Sequence, residues 1–74
     1  MNKQLAEKIL KKIREYSYNE EPLKPLNYST LSRELDINPG TIKQYVYYWI
    51  GKGEAKEIYY GTSVIIKAVI KEVE

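Results

Sequence analysis

The apolar period of this chain changes once, at Gly53, and that change limits what it can fold into. Upstream, apolar residues recur at spacings of three and four, as on one face of an α-helix. Downstream they recur at every second position, as on one face of a strand. The expected class is therefore α+β, with helices first and a two-stranded β-hairpin last. Seventy-four residues make one domain with a thin core.

The first helix is expected over residues 3 to 18, where Leu5, Ile9, Leu10, Ile13 and Tyr16 form one stripe. Lys8, Lys11, Lys12 and Glu15 lie off it. Residues 19 to 27, "NEEPLKPLN", cannot be helical, because two prolines push their neighbours toward extended geometry. A short strand fits there, with Leu23 and Leu26 dipping into the core. The second helix starts near Tyr28. Asn27 caps it, and Leu26 with Leu31 has the spacing of a hydrophobic staple. Leu31 and Leu35 make its buried edge.

Asp36, Ile37 and Asn38 form the next turn, with Ile37 plugging the angle between two helices. Asn38 is a suitable N-cap, and Pro39 sits at the first helical position, where a missing N–H costs nothing. The third helix runs to about Lys52, with Gly53 just past its end. Ile42, Val46, Trp49 and Ile50 share one side, with Tyr45 at the margin between core and phosphate contact. Trp49 is expected to anchor the core. Gly40, Lys43, Gln44, Tyr47, Tyr48 and Gly51 share the opposite side.

Strands are expected over 55 to 60 and 63 to 71, with Gly61 and Thr62 between them. Val64, Ile66, Ala68 and Ile70 form an apolar face. A two-residue loop would pair Glu57 with Ile66. A three-residue loop pairs Ile58 with Ile66 and Glu57 with Lys67. The second register is expected, because it buries isoleucine and matches opposite charges.

Composition removes several function classes. The chain has no histidine and no cysteine, so disulfides and the usual zinc ligands are absent. Gly51-Lys52-Gly53 lacks the rest of a phosphate-binding loop. The acidic residues show no paired spacing. No enzymatic activity, cofactor or small-molecule ligand is expected. No secretory leader is read, and no apolar run nears the roughly 20 residues of a membrane helix. A soluble, cytoplasmic protein with no membrane partner is the expectation. Abundant Lys, Glu, Ile and Tyr with no Phe matches the bias of a heat-adapted or AT-rich source.

The stretch "YSTLSRELDINPGTIKQYVYYWIGKGEA" resembles the helix-turn-helix of winged-helix DNA-binding domains, such as small transcriptional regulators of archaeal or viral type. Leu31, Leu35, Ile37, Thr41, Ile42, Val46, Ile50 and Gly53 match the positions of that pattern. The strands around Gly61-Thr62 resemble the wing. The likeness makes the whole chain, 1–74, one winged helix-turn-helix domain: helix-turn-helix at 28–52 and wing at 55–71. Gln44 stands where arginine is frequent in the family.

That resemblance implies a sequence-specific binder of double-stranded DNA, with the helix from Pro39 reading the major groove. Asn38, Gly40, Thr41, Lys43, Gln44, Tyr47 and Tyr48 would face DNA. Gln44 has the donor and acceptor for adenine, and Lys43 reaches guanine or phosphate. Ser29 and Thr30 would meet phosphates. The wing, with Tyr59, Tyr60, Thr62 and Lys67 near its tip or flank, would touch the flanking backbone or minor groove. A homodimer is expected, because one short recognition helix gives limited affinity; the first helix and the C-terminal strand are its candidate surfaces. Two other readings stand beside this one. Tyr47, Tyr48, Tyr59 and Tyr60 would form a protein-binding patch, which suits a net charge of only +2. An architectural or replication protein would bind DNA with little sequence preference.

Overall fold

A computed structural model describes residues 2–18 and 26–69. The predicted link over 19 to 25, with Leu23, and positions 70 and 71 of the expected last strand lie outside them. The fold is α+β, three helices followed by a two-stranded antiparallel hairpin. The elements are α1 (Lys3–Tyr18), α2 (Tyr28–Leu35), α3 (Pro39–Gly51), β1 (Ala55–Tyr60) and β2 (Ser63–Ala68).

Each helix begins where a side chain satisfies its free N–H groups. The Asn27 side-chain oxygen accepts from the Thr30 N–H at 2.7 Å, and that of Asn38 accepts from the Gly40 N–H at 2.8 Å. Asn2 does the same for Leu5 in α1. The turn between α2 and α3 is tighter than its sequence announces. Asp36 is left-handed, at φ 53°, a conformation that a short polar side chain tolerates better than most. Ser32 closes the turn from both groups: its carbonyl accepts from the Ile37 N–H at 3.0 Å, and its hydroxyl donates to the Ile37 carbonyl. Ile37 packs against the core as the expected plug. Gly53 follows α3 at φ 76°, which lets the chain reverse into β1.

The core is the meeting of three apolar surfaces. Ala6, Ile9 and Ile13 come from α1, Leu31 from α2, and Ile42, Tyr45 and Val46 from α3. Leu26, Ile66 and Ala68 complete it from the entry to α2 and from β2. The second strand is tied in by backbone as well. The Ile66 N–H donates to the Leu26 carbonyl at 2.8 Å, and the Ala68 N–H donates to the Ser17 hydroxyl at 2.8 Å.

Two expectations are corrected. The hairpin register is the two-residue one: Glu57 faces Ile66, Ile58 faces Ile65 and Tyr60 faces Ser63. Gly61, at φ 59°, allows the reversal in two residues. Glu57 has no need of Lys67, because its carboxylate accepts from the Tyr28 hydroxyl at 3.1 Å. Trp49 is not the core anchor. It is half-buried at the seam between α1 and α3, and its indole N–H donates to the Ala6 carbonyl at 2.8 Å. A ring with a polar N–H needs a partner when covered, and the backbone of α1 supplies one. Tyr45, only 8% exposed, takes the core place. Among the described residues, no helix is long and apolar enough to cross a membrane.

Candidate nucleic-acid interface

The apolar side of α3 packs on the core, with Ile42, Tyr45 and Val46 buried and Trp49 and Ile50 partly so, and its other side is left to solvent. Gly40, Lys43, Gln44, Tyr47, Tyr48 and Gly51 are all exposed and form one row along the helix. Thr41 is half-buried at its margin. Tyr47 is 52% exposed and Tyr48 38%.

The two tyrosines diverge. Tyr48 turns toward α1, where it lines a hollow with Lys3, Ala6, Glu7 and Trp49. It meets Trp49 edge to face, with centroids 5.0 Å apart, and the Lys52 ammonium lies 5.5 Å from its ring centre. Tyr47 turns toward Tyr28, and both Tyr47 and Tyr59 lie close enough to act electrostatically on the Tyr28 hydroxyl.

Tyr28 is the centre of that second group. Its hydroxyl bonds Glu57, and the Lys43 ammonium lies 5.5 Å from its ring centre. Burial, then the hydrogen bond to Glu57 and that carboxylate's charge, push the Tyr28 hydroxyl well above the ordinary tyrosine range. It therefore stays a neutral donor at neutral pH. The contact holds Lys43 along the α2 side of the row, beside the start of α2. Sequence reasoning missed Tyr28. Its partners come from α3 and β1, so no local pattern marks it.

The start of α2 meets the hairpin tip in a cleft lined by Asn27, Tyr28, Ser29, Tyr60, Ser63, Val64 and Ile65. Ser29 and Tyr60 thus share one surface. Thr30 is half-buried, and its N–H is spent on the cap. Asn38 is exposed, and its side chain is engaged by Gly40. Thr62 is exposed in the loop. Lys67 stands apart. It faces Lys56 across the hairpin, on the face turned away from the buried Ala55, Ile66 and Ala68. Tyr45 is not a surface residue: its hydroxyl accepts from the Asn2 N–H at 3.1 Å.

The arrangement places a cation, an amide and a tyrosine in sequence on an exposed helix, flanked by a hydroxyl-lined cleft. It offers donors and flat apolar surface. Among the described residues, no cluster of acidic, histidine or cysteine side chains could hold a metal ion. Comparison with known proteins gives no relative: no family model, curated protein or solved structure matches this chain.

Proposed function

We propose that this chain is a sequence-specific double-stranded DNA-binding protein of winged-helix type, acting as a small transcriptional regulator. The observation that carries the reading is the exposed row of α3, where Lys43, Gln44 and Tyr47 all face solvent. In this reading α3 lies in the major groove, and its side chains reach base edges and phosphates. Gln44 reads a base. Lys43 reaches a phosphate from its place over Tyr28. Gly40 lets the backbone come close at the helix start, where the N–H groups favour anions. Ser29, Tyr60 and Thr62 meet the flanking backbone. Lys67 sits opposite Lys56, away from the hairpin tip and outside the cleft by α2, and drops out of the proposed contact. The protein acts as a homodimer, which sets two such helices on half-sites about one helical turn apart.

Selection from random duplex DNA tests this reading, with binding of the winners followed from low to moderate salt. An enriched motif supports it. Binding without a motif, with a steep salt slope, replaces it with a non-specific architectural role.

One observation favours a second reading. Tyr47, Tyr48, Tyr59 and Tyr60 are 38–69% exposed, on a chain whose net charge is only +2. Tyrosine-rich, weakly charged surfaces also suit protein partners. These rings do not form the single patch expected from the sequence, since Tyr48 turns toward α1 while Tyr47 and Tyr59 lie by Tyr28; absence of DNA binding even at low salt transfers the function to the Tyr47 and Tyr59 side.

A further inference from the structure

Hydrogen-bond direction fixes which backbone groups of the hairpin remain unpaired. The Ile66 N–H points to Leu26 and the Ala68 N–H to Ser17, so both turn away from β1. The Val69 N–H, one position on, donates to the Glu54 carbonyl at 3.0 Å. Pairs in an antiparallel ladder alternate between bonded and non-bonded. Glu57 facing Ile66 and Tyr59 facing Val64 are therefore non-bonded pairs. The N–H and C=O groups of Glu57 and Tyr59 thus point to the outer edge of β1. Among the described residues they meet no partner. The edge of β2 differs, since Leu26 and Ser17 already occupy it. Of the hairpin's two edges, β1 is the open one.

We infer that the β1 edge is a dimerisation surface for a second copy of this chain, paired antiparallel about a two-fold axis at Ile58. This deepens the homodimer part of the functional reading and rests on it. Its readout needs no DNA, so its failure leaves the DNA reading standing.

Of the registers that let the outward groups of β1 meet their own copies, the one setting Tyr59 against Tyr59 carries Glu57 past the strand end to Gly61, and the one setting Glu57 against Ala55 opposes Lys56 to Lys56; two remain. One sets Glu57 against Glu57 and Lys56 against Ile58, which opposes like charges. The other sets Glu57 against Tyr59, Lys56 against Tyr60 and Ile58 against Ile58. The second is self-complementary at every rung. Each Glu57 and Tyr59 pair exchanges two backbone hydrogen bonds, and the tyrosine hydroxyl lies on the side of the carboxylate. Lys56 meets the ring of Tyr60, which is 59% exposed.

The outer face gains most. Ile58 and Ile65 oppose each other on the face turned away from the core, and both remain partly exposed. Pairing at Ile58 extends them into a row of isoleucines across a four-stranded sheet: Ile65, Ile58, Ile58 and Ile65. One strand per copy is a small interface, so the dimer is weak and concentration-dependent.

The absence of cysteine gives a clean test. Residues in a non-bonded pair sit about 4.5 Å apart at Cα, inside the roughly 4.4–6.8 Å span of a disulfide. Ile58→Cys is oxidised at a concentration where sedimentation shows the wild type partly dimeric, and folding is checked by circular dichroism. A disulfide-linked dimer is expected to be the main product, and Glu57→Cys should stay largely unlinked. A mixture of Lys56→Cys and Tyr60→Cys should link as a heterodimer, while neither links alone; this arm holds even if Ile58→Cys folds poorly. In sedimentation, Ile58→Lys should be monomeric at concentrations where the wild type dimerises. A wild type that is monomeric at all concentrations overturns the assignment. So does an Ile58→Lys protein that still dimerises, or efficient linking through Glu57→Cys.

Discussion

Gln44 and Lys43 are neighbours on α3, and both are exposed, yet they carry different expectations. Among the described residues Gln44 has no hydrogen-bond partner that would divert it from a base edge. Gln44→Ala should cost roughly 1–3 kcal/mol on the preferred site and relax preference at one base position. Lys43→Ala should weaken all sequences alike and flatten the salt slope by about one unit. Titrations of preferred and scrambled duplexes at several salt concentrations separate the two; a site-specific loss from Lys43→Ala contradicts its phosphate role. Tyr28 makes a prediction that needs no ligand. Its folded hydroxyl keeps its proton past about pH 10, where an unfolded tyrosine gives it up. Its stabilising effect is therefore complete below about pH 10 and is lost as pH rises above it. Tyr16, raised chiefly by its hydrogen bond to Glu34, acts in the same direction. Urea unfolding between pH 8 and pH 11 should show a fall in midpoint that Tyr28→Phe reduces but does not abolish. An unchanged fall in that variant removes Tyr28 as a cause.

Element boundaries were legible in the sequence where one residue carries the geometry. Asn27, Asn38, Pro39 and Gly53 mark helix ends by local chemistry, and the helices begin and end beside them. The hairpin register was not legible. Matching Glu57 with Lys67 is a local rule worth about 0.2–1 kcal/mol. The Tyr28 hydroxyl, 29 residues earlier in the chain, gives that carboxylate another partner. No window short enough for pattern reading contains both residues. The left-handed Asp36 was likewise hidden, because aspartate is compatible with several turn conformations. The glycines around the end of α3 give opposite predictions. Gly53→Ala should destabilise by roughly 1 kcal/mol, because its φ is positive. Gly51→Ala should stabilise by roughly 0.5–1 kcal/mol, since that position is helical and an added methyl meets nothing within 4 Å. Thermal unfolding of the two variants checks both signs, and equal shifts would refute the assignment of the helix end.

For the whole molecule, the core was legible and the exposed row was legible as a pattern, but the depth of each ring was not. Periodicity puts Trp49 and Ile42 on one side of α3. Only packing decides that α1 covers the indole partway while Tyr45 sinks in. Trp49→Ala should therefore leave a folded domain weakened by roughly 2 kcal/mol, below the 3–5 kcal/mol typical of a buried ring. Ile13→Ala, at a fully buried position, should cost about 2–5 kcal/mol despite removing a smaller side chain. Denaturant titrations rank them; a larger loss at Trp49 would mean that the seam, not the centre, holds the fold together. The tie from the Ala68 N–H to the Ser17 hydroxyl spans 51 residues and bears on how the chain reaches its shape. The stripe on α1 has its strand-side cover in Ile66 and Ala68, among the last residues described. During synthesis, α1 leaves the ribosome with part of that stripe uncovered and must wait for β2. Loop closure over such a separation comes before the contacts that reward it. Folding is then paced by the arrival of the C-terminal strand, and a nascent chain stalled before residue 66 presents a sticky helix to whatever chaperone or protease reaches it first.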